Sequence, residues 1–595
     1  KKILGLQQGK VYTDLRDLRY GRLLILTDAD HDGSHIKALL VNMIECYWPS
    51  LLQLGFVWSM VTPIKKATRG KDVKTFFNEL TYQQWDSTKT GHWNVKHYKG
   101  LGTSSTQEAK EYFREIDRLS IRFNFDDDAS NSLALAFDKK LADQRKVFIQ
   151  VNTATPPTPL PYGNMRTVDI TEFIHRDFVN FSIADLKRSV PSLMDGLKPS
   201  QRKVLHACFL RNLSSDMKVA QLAAFVSEAT AYHHGEQSLA ETIVSMAQDY
   251  VGSNNMNLLV PSGQFGSRLM GGKDASQTRY IYTRLSPVTR KLFDKRDDDV
   301  LTPVMDDGKA VEPEFFAPIL PMVLVNGARG VGTGYSCDIP SFDPSHIRDN
   351  ILRALDRQPM QELVPFFKGF KGRVFKSGEH TWMTEGIWKD GRVLELPPGV
   401  WTQKFKESLD AMIEDKTITG YTNNSSTDDV NFTIQGYTGS DPYADFGLRK
   451  SFAVSNMHLF HPESGIKKFA TPEDILIDFM KIRLKFYKMR KDHLVKTMAR
   501  ECRVLECKSI FMKMVLKREI EVLGRKKALV IQDLQAHKFP TIEDSYDYLL
   551  KITLNQCTEE AVVSLLQSSE QMKKDLYVLE NTEPVDMWKS DLKNL

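Results

Sequence analysis

Apolar and polar positions change rhythm along the chain. Up to about residue 125, short apolar runs alternate with helical periodicities, as in an α/β layer where helices cover a sheet. The clearest strand signal is the run 23–26, LLIL, which stops at Thr27 and is followed by Asp28, Asp30 and Asp32 at alternate positions. Residues 36–47 carry a helical pattern behind it. Between 151 and 165 the pattern lapses into VNTATPPTPLPYGN, rich in Pro and Thr, which predicts a linker. Three helical patterns then follow, at 198–210, 218–231 and 238–250. Pro199 suits a first helical turn, and Ser238 with Glu241 has capping-box spacing. Consecutive short helices with basic residues at their starts suggest a helix-turn-helix. Residues 301–465 read as mixed α/β. From Thr471, with Pro472 and Asp474, a helix starts. Its residues Ile475, Phe479, Ile482, Phe486 and Met489 recur in steps of four and three, an apolar stripe that needs a partner. Helical character runs to about 526 and resumes at 546–554 and 558–579.

Composition narrows this picture little. A length of 595 residues predicts several domains, and 41% hydrophobic residues suffice for ordinary cores. The net charge is only +5, so a nucleic-acid partner must be argued from local clusters. One such cluster is Lys187, Arg188, Lys198, Arg202 and Lys203, although a solvated helix face has the same composition. The six cysteines form no C-x-x-C pair, so neither a zinc site nor a disulfide framework is indicated, and a reducing compartment fits. No apolar run approaches membrane-spanning length and the first residues do not read as a signal peptide. The start at Lys1, without Met, reads as that of a fragment.

Three stretches carry candidate chemistry. Alternate residues of an extended segment share a face, so the three aspartates would cluster at a strand end, with Gly33 turning the chain into a helix near Ser34. Crowded carboxylates repel, and a hard cation relieves the repulsion. Mg²⁺ suits such a site because it takes one or two carboxylates and keeps its waters for phosphate oxygens. An Asp-rich surface turn has the same spacing, whereas a Ca²⁺ loop lacks its closing Glu. In YKGLGTSSTQEAKEYF (98–113), Gly100 and Gly102 allow close backbone approach, Ser105 and Glu108 have capping-box spacing, and Lys99 before the helix start could hold a phosphate. The segment PSGQFGSRLMGGKDASQTRYIYTRL (261–285) is glycine-rich, basic and strand-like at its end. It contains no P-loop pattern, so nucleotide binding is not implied.

TDADHDGSHIKALL (27–40) resembles the acidic motif of the TOPRIM domain in type IIA DNA topoisomerases. KGLGTS (99–104), SLMDGLKPSQRKVL (192–205), VAQLAAFVSEATAYHHGEQSL (219–239), RYIYT (279–283), ILPMVLVNGARGVGTGYS (319–336) and ELPPGVWTQKFKESL (395–409) resemble the eukaryotic form of that enzyme. The resemblance implies a multidomain α/β plus α fold. A TOPRIM α/β domain with its following helices would span 1–150, a linker 151–165, and a winged-helix domain with the catalytic tyrosine 166–300. A mixed α/β tower would span 301–465, and long coiled-coil arms ending in a helical, dimer-forming gate 466–595.

The same resemblance implies the chemistry. Tyr280 would attack DNA and hold a 5′ phosphate, Arg279 would stabilise the transition state, and His234 and Lys99 would assist. Asp28, Asp30 and Asp32 would hold Mg²⁺, with Mn²⁺ or Ca²⁺ as substitutes. Arg145, Lys146, Arg188, Lys198, Arg202, Lys203, Tyr232, His233 and Ser238 would contact the duplex, and Val331 would wedge between base pairs. Val331 stands where the family usually has Ile, and Arg329 where it usually has Glu. The implied partners are double-stranded DNA and a second copy of the chain, in the nucleus or another DNA-containing compartment, with no membrane. ATP would act only through an ATPase domain outside this sequence, and the family's first metal-binding Glu would precede Lys1. The implied function is a transient double-strand break through which a second duplex passes, relaxing supercoils and separating linked chromosomes. An inert DNA clamp of the same fold would not need Asp28, Asp30, Arg279 and Tyr280 together. A TOPRIM nuclease or primase would have no use for the tyrosine segment.

Overall fold

The computed structural model describes residues 1–595 apart from Lys99, Asn164, His233, Asp307, Glu543, residues 554–557 and the side chain of Glu559. It divides into two compact units. The first comprises Lys1–Val190 and Gly330–Cys337, the second Pro191–Arg329 and Asp338–Leu595.

The first unit is built on a four-stranded sheet in the order Leu23–Ile25, Val57–Met60, Ser120–Asn124, Thr167–Asp169. The first pair and the last pair are parallel and the middle pair antiparallel. Helix His31–Tyr47 buries Ala38, Val41 and Ile44 in a core shared with Ile25, Phe56, Phe123, Phe173 and Phe178. The helix begins five residues before the expected start, because Asp30 caps it: its Oδ1 accepts from the Gly33 amide at 2.7 Å. The proline-rich stretch departs from expectation more clearly. It is irregular, since proline removes amide donors, but it does not separate two units. Strand Thr167–Asp169 just beyond it pairs into the sheet, Leu160 is 2% exposed, and Arg176 donates to the carbonyls of Thr158 (2.8 Å) and Pro159 (3.0 Å).

In the second unit, helices Pro199–Leu210, Val219–Ala229 and Glu236–Ala247 follow one another as expected, beside a sheet in the order Met217–Lys218, Tyr282–Leu285, Leu259–Ser262. The third helix starts two residues before Ser238, after Gly235, so the capping box expected of Ser238 and Glu241 is not formed. Reciprocal capping boxes do form at Ser105 with Glu108 and at Thr471 with Asp474. Residues 373–453 contribute two further antiparallel sheets, one packed with helix Thr402–Glu414 around Val393, Leu396, Phe405, Leu409 and Phe432.

Helix Pro472–Leu516 has 45 residues, about 68 Å at 1.5 Å per residue. Helix Glu559–Asn581 packs along it, and helix Pro584–Lys593 docks at its base through the fully buried Trp588. The buried face of the long helix starts as the stripe predicts, with Ile475, Phe479 and Ile482, but then turns. Met489 is 44% exposed, while Arg483, Tyr487 and Arg490 are fully buried. The reason is Asp297, 2% exposed, whose carboxylate takes Arg483 (Nη2 to Oδ2 2.8 Å) and Arg490 (Nε to Oδ1 2.7 Å). Both guanidinium groups lie over the Tyr487 ring, at 4.0 and 4.5 Å, and Asp591 of the terminal helix accepts from Arg490 and from the Tyr487 hydroxyl.

Candidate functional site

The acidic motif lies at the end of strand Leu23–Ile25 and in the first turn of helix His31–Tyr47. Gly33 is needed there for close approach: a Cβ on it would come within 2.0 Å of the Asp28 carbonyl oxygen. Gly100 of the KGLGTS segment presses on the Asp28 carboxylate in the same way, at 3.0 Å, and the Leu101 amide donates to Asp28 Oδ1 at 2.6 Å. The segment is held by helix Thr106–Arg114, whose capping Glu108 also takes hydrogen bonds from Lys96 and Tyr98. Burial would raise the Glu108 carboxyl, but the bonds from Lys96, Tyr98 and Ser105 outweigh it and hold it down to about 2.

Asp28 and Asp30 each have one oxygen bonded to a backbone amide, and among the described residues the other oxygen of each has no hydrogen-bond donor. Two carboxylates with open lone pairs fit a divalent cation that keeps most of its waters. Asp32 does not fit as a third ligand, which corrects the expectation. Both of its oxygens are taken by Arg188, at 3.0 and 2.7 Å, in a two-pronged pair. That pair, then burial, sets the Arg188 guanidinium, and the net effect holds it more firmly protonated than usual. Arg188 is therefore tied to the acidic motif, with its ring-facing side over Phe181 at 5.5 Å. Nothing in local spacing relates residues 32 and 188, so sequence reasoning missed the pair. It also missed Lys37 one turn along, 8% exposed, whose ammonium is pushed down by burial against the opposing pull of Asp177 and Asp30.

Tyr280 is 65% exposed and sits in a turn, its amide bonded to the Gln277 carbonyl at 2.9 Å. The strand starts only at Tyr282, so the two tyrosines do not share a strand. Tyr282 is fixed between Lys218 and Ser262 in the sheet. The Arg279 guanidinium lies 4.8 Å from the Tyr280 ring centroid. His234 is exposed, with its ring 5.4 Å edge-on from that of the buried Tyr232. Ser238 is exposed in the first turn of its helix. Lys99 and His233 lie outside the described residues.

Several expected DNA contacts point inward. Arg202 is 7% exposed and is held by Asp195 (2.7 Å) and the Leu197 carbonyl (2.9 Å). Arg145 is 9% exposed and donates to the carbonyls of Leu135 and Asp138. Lys203 donates to the Thr230 carbonyl and to Glu312. These three are corrected from surface contacts to residues that brace helices, since their donors are already satisfied inside the protein. Lys146 remains partly exposed beside Asp143, and Lys198 is half-buried.

Val331 is 81% exposed on strand Ala328–Gly332, two residues before the turn rather than at its tip. Its flanking glycines explain the exposure. A Cβ on Gly330 would strike the Ser189 carbonyl oxygen at 2.1 Å, and one on Gly332 would crowd Leu186. The ribbon thus presses flat on helix Val179–Ser189, where Asp185 accepts from the Thr333 amide and hydroxyl, and the valine is left facing out. Arg329 is paired with Asp338 at 2.8 Å.

Residues 188–593 match the DNA gyrase/topoisomerase IV family, and residues 60–186 match the C-terminal associated domain of TOPRIM. DNA topoisomerase 2 of Arabidopsis thaliana is 39% identical, covering 100% of this chain and 44% of its own length. DNA topoisomerase 2-alpha of Cricetulus griseus is 39% identical, covering 99% of this chain and 43% of its own length. The chain thus spans less than half the length of these curated relatives. The crystal structure of the Plasmodium falciparum topoisomerase II DNA-binding, cleavage and re-ligation domain is 38% identical, with a TM-score of 0.82 over 100% of this chain and 86% of that one.

Proposed function

Because this chain belongs to the DNA gyrase/topoisomerase IV family, with the type II DNA topoisomerases, we propose that it is the DNA-cleaving core of such an enzyme. The observation that carries the reading is the contrast between the two tyrosines. Tyr280 is exposed in a turn with Arg279 against its ring, while Tyr282 is locked into a sheet.

The chemistry follows from reversibility. To break a phosphodiester and rejoin it without an outside energy source, the protein must hold the bond covalently. The Tyr280 oxygen attacks the phosphorus and an O–P bond forms. The bond from phosphorus to the 3′ oxygen breaks, the phenol gives up its proton, and the 3′ oxygen receives one. Tyr280 then carries the 5′ phosphate, and attack by the 3′ hydroxyl reverses each step. Phenols are weak nucleophiles near neutral pH, and the Arg279 guanidinium stabilises charge developing on the phosphoryl oxygens. A divalent cation held by Asp28 and Asp30, Mg²⁺ in the first instance, supplies further charge neutralisation at the phosphate and the 3′ oxygen. Arg188 keeps Asp32 out of that set and fixes the helix that carries the motif. His234 and Lys99 take supporting roles by resemblance.

Two copies bring two tyrosines to the two strands of a duplex, and a second duplex passes through the break. The partners are double-stranded DNA and a second copy, and the site of action is the nucleus or another compartment holding DNA. Coupling to ATP belongs to parts of the protein outside this sequence.

The test is covalent trapping. With DNA and Mg²⁺, a detergent quench should yield protein attached to 5′ ends, and Tyr280→Phe should abolish this while DNA binding survives. Undiminished attachment in Tyr280→Phe, or its loss only in Tyr282→Phe, would refute the assignment.

A further inference from the structure

The second unit contains a cavity of about 390 Å³ that none of the roles above requires. One wall is aromatic. Trp401 and Tyr250 meet edge to face at 5.9 Å, and Phe367 and Phe452 line the same space. The polar wall carries Lys198, Arg329 and Lys450 against a single carboxylate, Asp338. Asp338 already accepts from Arg329 Nε at 2.8 Å, which leaves the wall with an excess of positive charge.

Lys450 is the unusual group. It is half-buried, and among the described residues its ammonium donates only to the Pro398 carbonyl, at 3.4 Å, and forms no ion pair. Room for it is provided by Gly399, at φ +78°, where a Cβ would lie 2.8 Å from Lys450 Nζ. Burial, and then the charge of Arg329, push the Lys450 amine below its ordinary range. A half-buried cation without a counter-ion, facing a rigid aromatic wall, is complementary to a flat ring bearing an acidic group. A charged acceptor would form the stronger, charge-assisted class of hydrogen bond. The volume falls within the range of small-molecule clefts.

We propose that this cavity is a binding site for a small aromatic anion, with the ring against Trp401 and the acidic group on Lys450. Lys198 and Arg329 are also cations that a duplex would use. A bound anion therefore weakens DNA binding, and by linkage DNA weakens the anion by the same factor.

The test uses 1-anilinonaphthalene-8-sulfonate, an aromatic sulfonate, titrated into the whole chain without DNA. Energy transfer from tryptophan to dye should saturate at one dye per chain. Lys450→Met should raise the dissociation constant about tenfold, the loss of one charge-assisted hydrogen bond, and Lys450→Arg should restore it. Trp401→Leu should remove most of the transfer. Circular dichroism of each variant checks folding, and Lys450→Gln replaces Lys450→Met if the latter does not fold. Uptake that never saturates, or equal affinity in the parent and both neutral variants, would overturn the proposal. Because no DNA is present, a failure here is distinct from a failure of the cleavage reading.

Discussion

Asp297→Ala should destabilise the second unit far more than a surface aspartate would. Among the described residues the carboxylate is the one ion partner of Arg483, a fully buried side chain whose Nε has no hydrogen bond. Arg490 is better placed, since it keeps Asp591 at 2.7 Å and Asp294 at 3.7 Å. The variant therefore strands one buried cation completely and one in part. Removing a single partner from a buried pair costs about 3–5 kcal/mol, because the remaining charge has neither water nor counter-ion. The same reasoning sets the rescue. In Asp297→Leu with Arg483→Met, Arg483 leaves no orphaned charge and Arg490 keeps its other carboxylates, and such apolar replacements are often neutral or stabilising. The pair of changes should recover at least about 2 kcal/mol relative to Asp297→Ala, a coupling of the size found for residues in direct contact. Urea denaturation followed by helical circular dichroism measures both variants. A loss below about 1 kcal/mol in Asp297→Ala, against the expected range, would refute the account, as would a double variant no more stable than the single one.

Other expectations follow from the sites. Asp28→Ala and Asp30→Ala should shift the Mg²⁺ titration of cleavage to higher concentration, while Asp32→Asn should lower cleavage with little change in the metal midpoint. Equal midpoints in all three would remove the division between ligands and brace. Val331→Ala deletes two carbons at about 0.8 kcal/mol each when buried, so the DNA bend read by energy transfer between end labels should shrink. A wedge must unstack bases to work, and an unchanged bend would show that the valine is not one. Glu108 is held below the ordinary carboxylate value of 4.5, at about 2. Its stabilisation is thus complete above pH 4.5 and is lost as pH falls toward 2. Amide exchange over helix Thr106–Arg114 should accelerate in that window and become insensitive to it in Glu108→Gln. Exchange that ignores pH in the parent would contradict this.

What the sequence disclosed and what it hid divide along a physical line. Helix starts at Ser105 and Thr471 were readable, because a cap involves residues three apart. The apolar half of the long helix was readable for the same reason, since periodicity is local. Arg483 and Arg490 were not, because an arginine on a helix reads as solvated unless its partner is known, and Asp297 lies nearly two hundred positions earlier. Arg202 was misjudged in the same way, its guanidinium being turned onto Asp195. Asp32 followed the spacing of its neighbours but not their role, for alternation puts residues on one face only while the chain stays extended, and the helix has already begun at His31. The exposed Tyr280 and Val331 were legible only through resemblance, since a lone tyrosine or valine carries no spacing rule.

The ribbon Gly330–Cys337 has a consequence for the order in which the protein can be finished on the ribosome. The first unit consists of Lys1–Val190 plus this ribbon. Until it emerges, Asp185 lacks its Thr333 donors and the backbone at Ser189 lacks its glycine cover. Some 150 further residues must be translated first, roughly 7–30 s at ordinary elongation rates. For that interval the helix Val179–Ser189 waits with one flank open, and a nascent chain stalled between the two stretches should bind a holdase chaperone that the completed unit does not.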